Sequence, residues 1–258
     1  MIKYFRNHTE SIVGIMILFV VCSVYFYGLS NVTKNYHPVW NDEHFYYINA
    51  NAYFQNNTLA AALTLNGKGS IIFKCDPHGF AYPLLHGSFA KLIGWHSSNF
   101  ILFNFLLIAL SIVLIFYLLP VSLNKKIYII AIFLLFPFIP LYAFTYMQEL
   151  IQVFFAVLLG VLLCQISEEK NNKKLIVIFV LAIVVASLFR GSWFFWLIGL
   201  LPFANNKREL LYFFILFILG FFASIAFVNL FGEAVPNYFS QMIALLLDGK
   251  IYVVAHSL

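Results

Sequence analysis

The sequence predicts an all-α polytopic membrane protein of about seven transmembrane helices, and three observations carry that expectation. Of the 258 residues 63% are hydrophobic and only 10% charged, and the mean hydropathy is +0.91, which no soluble globular domain matches. The apolar runs are about as long as a helix needs to cross a hydrocarbon core of roughly 30 Å. Cations recur between those runs in alternate segments. Lipid cannot satisfy open backbone groups, so helices or a closed barrel must span it, and the alternating strands of a barrel are absent.

Met1 to Glu10 carries Lys3 and Arg6, and residues 11–29 follow as an apolar span without a small-residue cleavage site. That segment reads as an anchor rather than a removed signal peptide. Residues 30–98 form a long loop. The remaining spans fall within 99–231: Asn99 to Leu119, Ile127 to Tyr146, Glu149 to Ile166, Leu175 to Phe189, Trp193 to Ala204 and Glu209 to Phe231. The two short spans around Arg190 also fit a broken or re-entrant hairpin. Residues 232–258 read as an amphipathic tail, in which Pro236 precedes the apolar stretch Phe239 to Leu247 and Asp248-Gly249-Lys250 interrupts it. The whole chain is expected to be one membrane domain.

Lys3/Arg6, Lys125/Lys126, Lys170/Lys173/Lys174 and Lys207/Arg208 alternate onto one side, which the positive-inside rule makes cytoplasmic. The N-terminus is then cytoplasmic, and the 30–98 loop, Met147-Gln148, Arg190-Gly191 and the tail are extracytoplasmic. The net charge of +5 reports topology and not nucleic-acid binding. Heavy use of Asn, Lys, Ile and Phe suggests an AT-rich genome and hence a bacterial inner membrane. Cys22, Cys75 and Cys164 imply no disulfide framework.

Within the outer loop, Phe45 to Leu65 carries apolar residues at mixed helical spacing. After Pro83, the residues Leu85, Phe89, Leu92 and Ile93 share one helix face. Pro83 suits the first turn of that helix and Gly94 its end. Both segments are expected to lie along the membrane surface.

The candidate functional residues gather on the outer side. Asp42 and Glu43 follow the first span closely, at the level where a lipid-linked head group would sit, although adjacent acids also occur in plain solvated loops. Lys74, Asp76, His78 and Tyr82 mix cations, an acid and a ring just before the second surface helix. Lys74 or His78 could hold a phosphate oxygen, or could merely snorkel. Glu149 opens a span and is costly to expose to lipid, so it turns inward or complements the helix dipole. Arg190 breaks the positive-inside trend, which suits a bound anion or an interfacial arginine beside Trp193 and Trp196.

In its order and sidedness the chain resembles the GT-C superfamily of polyprenyl-phosphate-sugar-dependent glycosyltransferases, including protein O-mannosyltransferases and lipid A aminoarabinose transferases. The resemblance lies in the first span, then Asp42-Glu43 with Tyr46 or Tyr47, Ala50 to Phe54, and the segment His78-Gly-Phe-Ala-Tyr-Pro-Leu-Leu85. Gln148-Glu149 and Phe189-Arg190-Gly191 through Leu201-Pro202 complete it. It covers about residues 11 to 231 as a pattern, with no single specific motif. Family members usually continue with more spans and often a soluble outer domain.

The resemblance implies inverting sugar transfer from a polyprenyl-phosphate-sugar donor to a lipid, glycan or protein acceptor on the extracytoplasmic side. Asp42 takes the role of general base on the acceptor hydroxyl, with Glu43 as helper. The phosphate leaving group departs without a proton, so Arg190, Lys74 and His78 would meet its charge. Some relatives use a divalent metal, which Asp42 and Glu43 would hold, but nothing fixes a ligand set. Two other classes stay open: a lipid or glycan flippase or transporter, which would place ionisable groups at mid-membrane depth, and a truncated, non-catalytic GT-C-like subunit.

Overall fold

The computed structural model describes residues 12–17, 19–21, 23, 24, 27, 41–63, 71–73, 80–96, 98–169 and 172–231. Lys74, Asp76, His78 and the tail 232–258 lie outside the described residues.

The described chain is almost wholly helical, as expected. An apolar stretch, α1 (Ile12–Val21), packs Val13, Ile17 and Val21 on the core. Then come α2 (Asn41–Asn56), a two-stranded antiparallel hairpin β1 (Ala61–Leu63) and β2 (Ile71–Phe73), and α3 (Ala81–Ile93). α4 (Ser98–Val113) runs on through a π turn, Leu114–Leu118. α5 (Leu123–Leu135), α6 (Phe138–Ala143), α7 (Glu149–Glu168), α8 (Lys173–Ser187), a 3-10 helix (Gly191–Phe203) and α9 (Lys207–Phe231) complete the described order.

Among the described residues two helices are long and apolar enough to cross a membrane. They are Ser98–Leu118, with mean hydropathy 2.8, and Glu149–Glu168, with 2.3. At 1.5 Å per residue each spans about 30 Å.

Three elements depart from the sequence expectation. The span expected from Ile127 to Tyr146 is two helices, broken where Phe136 turns extended at ψ 123 ahead of Pro137. A residue before proline is pushed out of the helical region by the ring, which ends α5 there. The surface helix expected over Phe45 to Leu65 starts earlier and ends at Asn56, after which Ala61 pairs with Phe73 and Leu63 with Ile71. The segment expected over Trp193 to Ala204 is a 3-10 helix that starts at Gly191 and ends at Phe203.

The ends of α3 fall where Pro83 and Gly94 put them. Pro83 sits in the first turn, where its missing N–H has no intrahelical partner to lose. Gly94 closes the helix at φ 89, a left-handed value that glycine adopts without steric cost, and its N–H bonds Ala90 O at 2.8 Å. The face that carries Leu92 and Ile93 is open, and the opposite side of the helix is the packed one. Ala81, Tyr82, Pro83, His86, Gly87 and Ala90 are buried, whereas Leu92 is 84% exposed. Small residues let α3 lie close on α2: a Cβ added at Gly87 would stand 2.8 Å from Ala50 O.

The core runs down the middle of the bundle. Ile101, Ile108 and Ile112 of α4, Leu150 and Leu159 of α7, Phe179 and Ile183 of α8, and Leu200 of the 3-10 helix are all buried. At one end lie α2, α3 and the N-termini of α4 and α7. At the other, Gln165 of α7 donates to Leu118 O at 2.8 Å, and the lysines opening α5 and α8 and the cations opening α9 follow from there.

Candidate functional site

The connection between α6 and α7, residues 144–148, organises the first end. It runs without regular structure, so its backbone groups need partners, and three elements supply them. Glu43 of α2 accepts the N–H of Tyr146 at 2.7 Å. Tyr82 of α3 donates its hydroxyl to Met147 O at 2.8 Å. Asn104 of α4 donates to Thr145 O at 2.8 Å and to Tyr142 O at 3.2 Å.

An aromatic layer fills the space among these bonds. The Tyr47 and Tyr146 rings stack at 5.4 Å, Tyr46 meets Tyr82 edge-on at 5.1 Å, and His86 stacks on Phe100 at 4.0 Å. Such ring pairs add about 0.5–1.5 kcal/mol each beyond their burial. The His86 ring is buried and both its nitrogens lack a hydrogen-bond partner among the described residues, and burial lowers its pKa to about 3 and keeps it neutral.

Of the sequence-predicted site residues, Asp42, Glu43, Tyr82, Glu149 and Arg190 come together at this end. Arg190, Asp42 and Glu43 all act electrostatically on the Glu149 carboxylate, and Glu149 and Glu43 both act on Tyr82. Tyr82 has its pKa raised well above the usual phenol value, by burial first and then by those two carboxylates. It therefore stays protonated and remains a donor.

The two adjacent acids have different surroundings. Glu43 is fully buried and turned towards the 144–148 connection, while Asp42 is half-buried at the first turn of α2. Glu149 opens α7 half-buried, and its Oε2 is enclosed with no hydrogen-bond partner among the described residues. Arg190 is exposed in extended backbone between α8 and the 3-10 helix. That stretch is tied to α7 because the Trp193 indole N–H donates to Gln152 Oε1, and Gln152 donates in turn to Gln148 Oε1 at 3.3 Å.

The residues fit a metal poorly. Glu43 has one oxygen on the Tyr146 N–H, and among the described residues no group of three or more His, Cys, Asp or Glu is placed to hold a metal ion. No step below is routed through one.

Sequence reading missed Asn104, Tyr146 and His86. Asn104 carried a signal, since an amide inside an apolar run is expensive unless it bonds within the protein. Tyr146 and His86 carried none, because their roles come from tertiary contacts. Comparison with protein-family models, with curated proteins and with solved structures gives no match for this chain, so its functional reading rests on its own residues.

Proposed function

We propose that this chain is a multi-pass membrane glycosyltransferase of GT-C type. It moves a sugar from a polyprenyl-phosphate donor to a lipid, glycan or protein acceptor on the extracytoplasmic side of a bacterial inner membrane. The observation that carries the reading is the convergence of Asp42, Glu149 and Arg190 at one end of the bundle, with Lys126, Lys173 and Arg208 at the other. Acids able to take a proton and a cation able to meet a phosphate then share one interface. The positive-inside rule puts that interface outside and the N-terminus in the cytoplasm.

Asp42 is the general base in this reading: its half-buried carboxylate accepts the proton of the acceptor hydroxyl as the oxygen attacks the anomeric carbon. The glycosidic C–O bond to phosphate breaks on the opposite face, and the configuration inverts. The lipid phosphate leaves as an anion, and Arg190 stabilises the charge that develops on it. Glu43 helps indirectly, by fixing the connection from which Glu149 projects. The exposed apolar side of α3, with Leu92 and Ile93, lies on the membrane surface.

The test is sugar transfer from a panel of radiolabelled polyprenyl-phosphate sugars, in membranes containing the full chain or its Asp42→Asn variant. Transfer from one donor that falls at least about a hundredfold in the variant supports the reading. Undiminished transfer removes Asp42 from its role, and no transfer by folded protein with any donor overturns the proposed activity.

A further inference from the structure

A cavity of about 710 Å³ opens at the end of the bundle away from Asp42, where α7, α8, the 3-10 helix and α9 meet. No step of the proposed transfer uses it, and its walls are of two kinds. The polar lining is Lys173, Arg208, Glu209 and the turn Asn205-Asn206; one turn further along α8 and α9 the lining becomes apolar, with Val177 and Tyr212.

The polar residues set two cations, Lys173 and Arg208, against one acid. The Glu209 carboxylate accepts the backbone N–H and the side-chain amide of Asn205, each at 2.9 Å, and Lys173 acts on it electrostatically, which leaves an excess of positive charge. Among the described residues Arg208 makes one side-chain hydrogen bond, from Nε to Tyr212 Oη at 3.0 Å, with its guanidinium 5.6 Å from that ring's centroid. Its position is thereby fixed at the rim. The terminal nitrogens remain for a second partner, and a guanidinium fork matches phosphate oxygens.

The apolar side does not stop at the cavity mouth. Val177 and Leu181, one turn apart on α8, are 57% and 59% exposed, and on α9, the other apolar wall, Tyr212, Ile215 and Leu219 are exposed at 53%, 45% and 60%. A free phosphate would use the cations and leave this wall bare. A zwitterionic headgroup would offer the same phosphate but bring its ammonium against the two cations.

We propose that this cavity binds the headgroup of an anionic phospholipid, its phosphate held by Lys173 and Arg208 and an acyl chain laid along the exposed apolar residues of α9. The volume lies within the range of small-molecule sites. The inference rests on the membrane reading above but not on sugar transfer, and it adds a lipid site at the face opposite the proposed catalytic one.

The test measures binding of phosphatidylglycerol and of phosphatidylcholine to the purified full chain in detergent, with inorganic phosphate as competitor. Phosphatidylglycerol is expected to bind saturably and about tenfold tighter than phosphatidylcholine. Lys173→Ala with Arg208→Ala removes that preference, whereas Lys125→Ala with Lys174→Ala, outside the cavity, keeps it. Lys173→Arg with Arg208→Lys keeps it too, which separates loss of charge from loss of fold. Equal binding of the two lipids, equal loss in both alanine pairs, or ready displacement by inorganic phosphate each overturns the lipid site. Carbonate extraction on the same membranes separates the premises: a chain released by carbonate sinks the membrane reading, and an embedded chain without lipid preference sinks this site alone.

Discussion

Glu43 Oε1 accepts the backbone N–H of Tyr146 at 2.7 Å, across 103 positions of sequence and out of contact with solvent. The bond clamps the first turn of α2 to the connection that opens α7, so Asp42 and Glu149 share one support. Removing the acceptor leaves a buried N–H unpaired, which costs about 2 kcal/mol. Thermal unfolding in detergent is expected to show Glu43→Ala clearly less stable than the parent, with Glu43→Gln in between because its amide oxygen can still accept. An unchanged midpoint for Glu43→Ala would show that the clamp contributes nothing.

Arg190 tests the other half of the site. It is exposed and bonds through its backbone N–H to Ala186 O at 3.2 Å, so truncating its side chain should leave the fold intact. On the proposed mechanism it holds the donor phosphate in the ground state as well as in the transition state. Arg190→Ala therefore raises the apparent donor KM by about tenfold or more, the scale of one charge-assisted contact. An unaltered donor KM would remove Arg190 from phosphate binding.

His86 gives the site a pH signature. Enclosed by Tyr82, Phe100 and Phe103, it has a folded pKa of about 3 against an unfolded value of roughly 6.5. The folded value is the lower one, so the unfolded chain binds the proton more readily. Its contribution is intact above about pH 6.5 and is lost as pH falls toward 3, by about 2 kcal/mol at pH 5. The His86→Phe variant keeps a ring on Phe100 and cannot titrate. Its unfolding midpoint should fall less than the parent's between pH 7 and pH 5, and parallel falls would show that His86 does not carry the effect.

Local signals were legible wherever backbone chemistry decides the outcome. Pro83 and Gly94 mark α3 because a missing N–H and a left-handed φ are properties of single residues. Pro137 carried the same kind of information, and it outweighs the apolar run from Ile127 to Tyr146 that read as one span. The packed face of α3 was not visible for a different reason: Gly87 and Ala90 mark a close approach only once the partner helix that meets them is known. At the site, Glu149 and Arg190 were found because charge at the edge of an apolar run is conspicuous. The split between Asp42 and Glu43 was not visible, since adjacent helix positions point about 100° apart and only tertiary packing selects the buried one.

Gly87 tests whether α2 and α3 act as one platform. A Cβ there would meet Ala50 O and Tyr53 Cδ1, each at 2.8 Å, and the first of these is backbone that cannot rotate away. Gly87→Ala must therefore push the two helices apart. Overpacking of this kind costs about 1–3 kcal/mol, set against the gain of up to about 1 kcal/mol that alanine brings to a helix interior. The separation would also shift Tyr46 from Tyr82 and carry Asp42 with α2. The expected outcome is a modest loss of stability together with a larger loss of transfer, because misplacement by an ångström is felt more by catalysis than by packing. Gly160, in the interior of α7 with open space around its position among the described residues, is the control: Gly160→Ala should leave transfer unchanged and gain up to about 1 kcal/mol in stability. If Gly87→Ala were as active and as stable as Gly160→Ala, the close approach of α2 and α3 would have no part in holding the site.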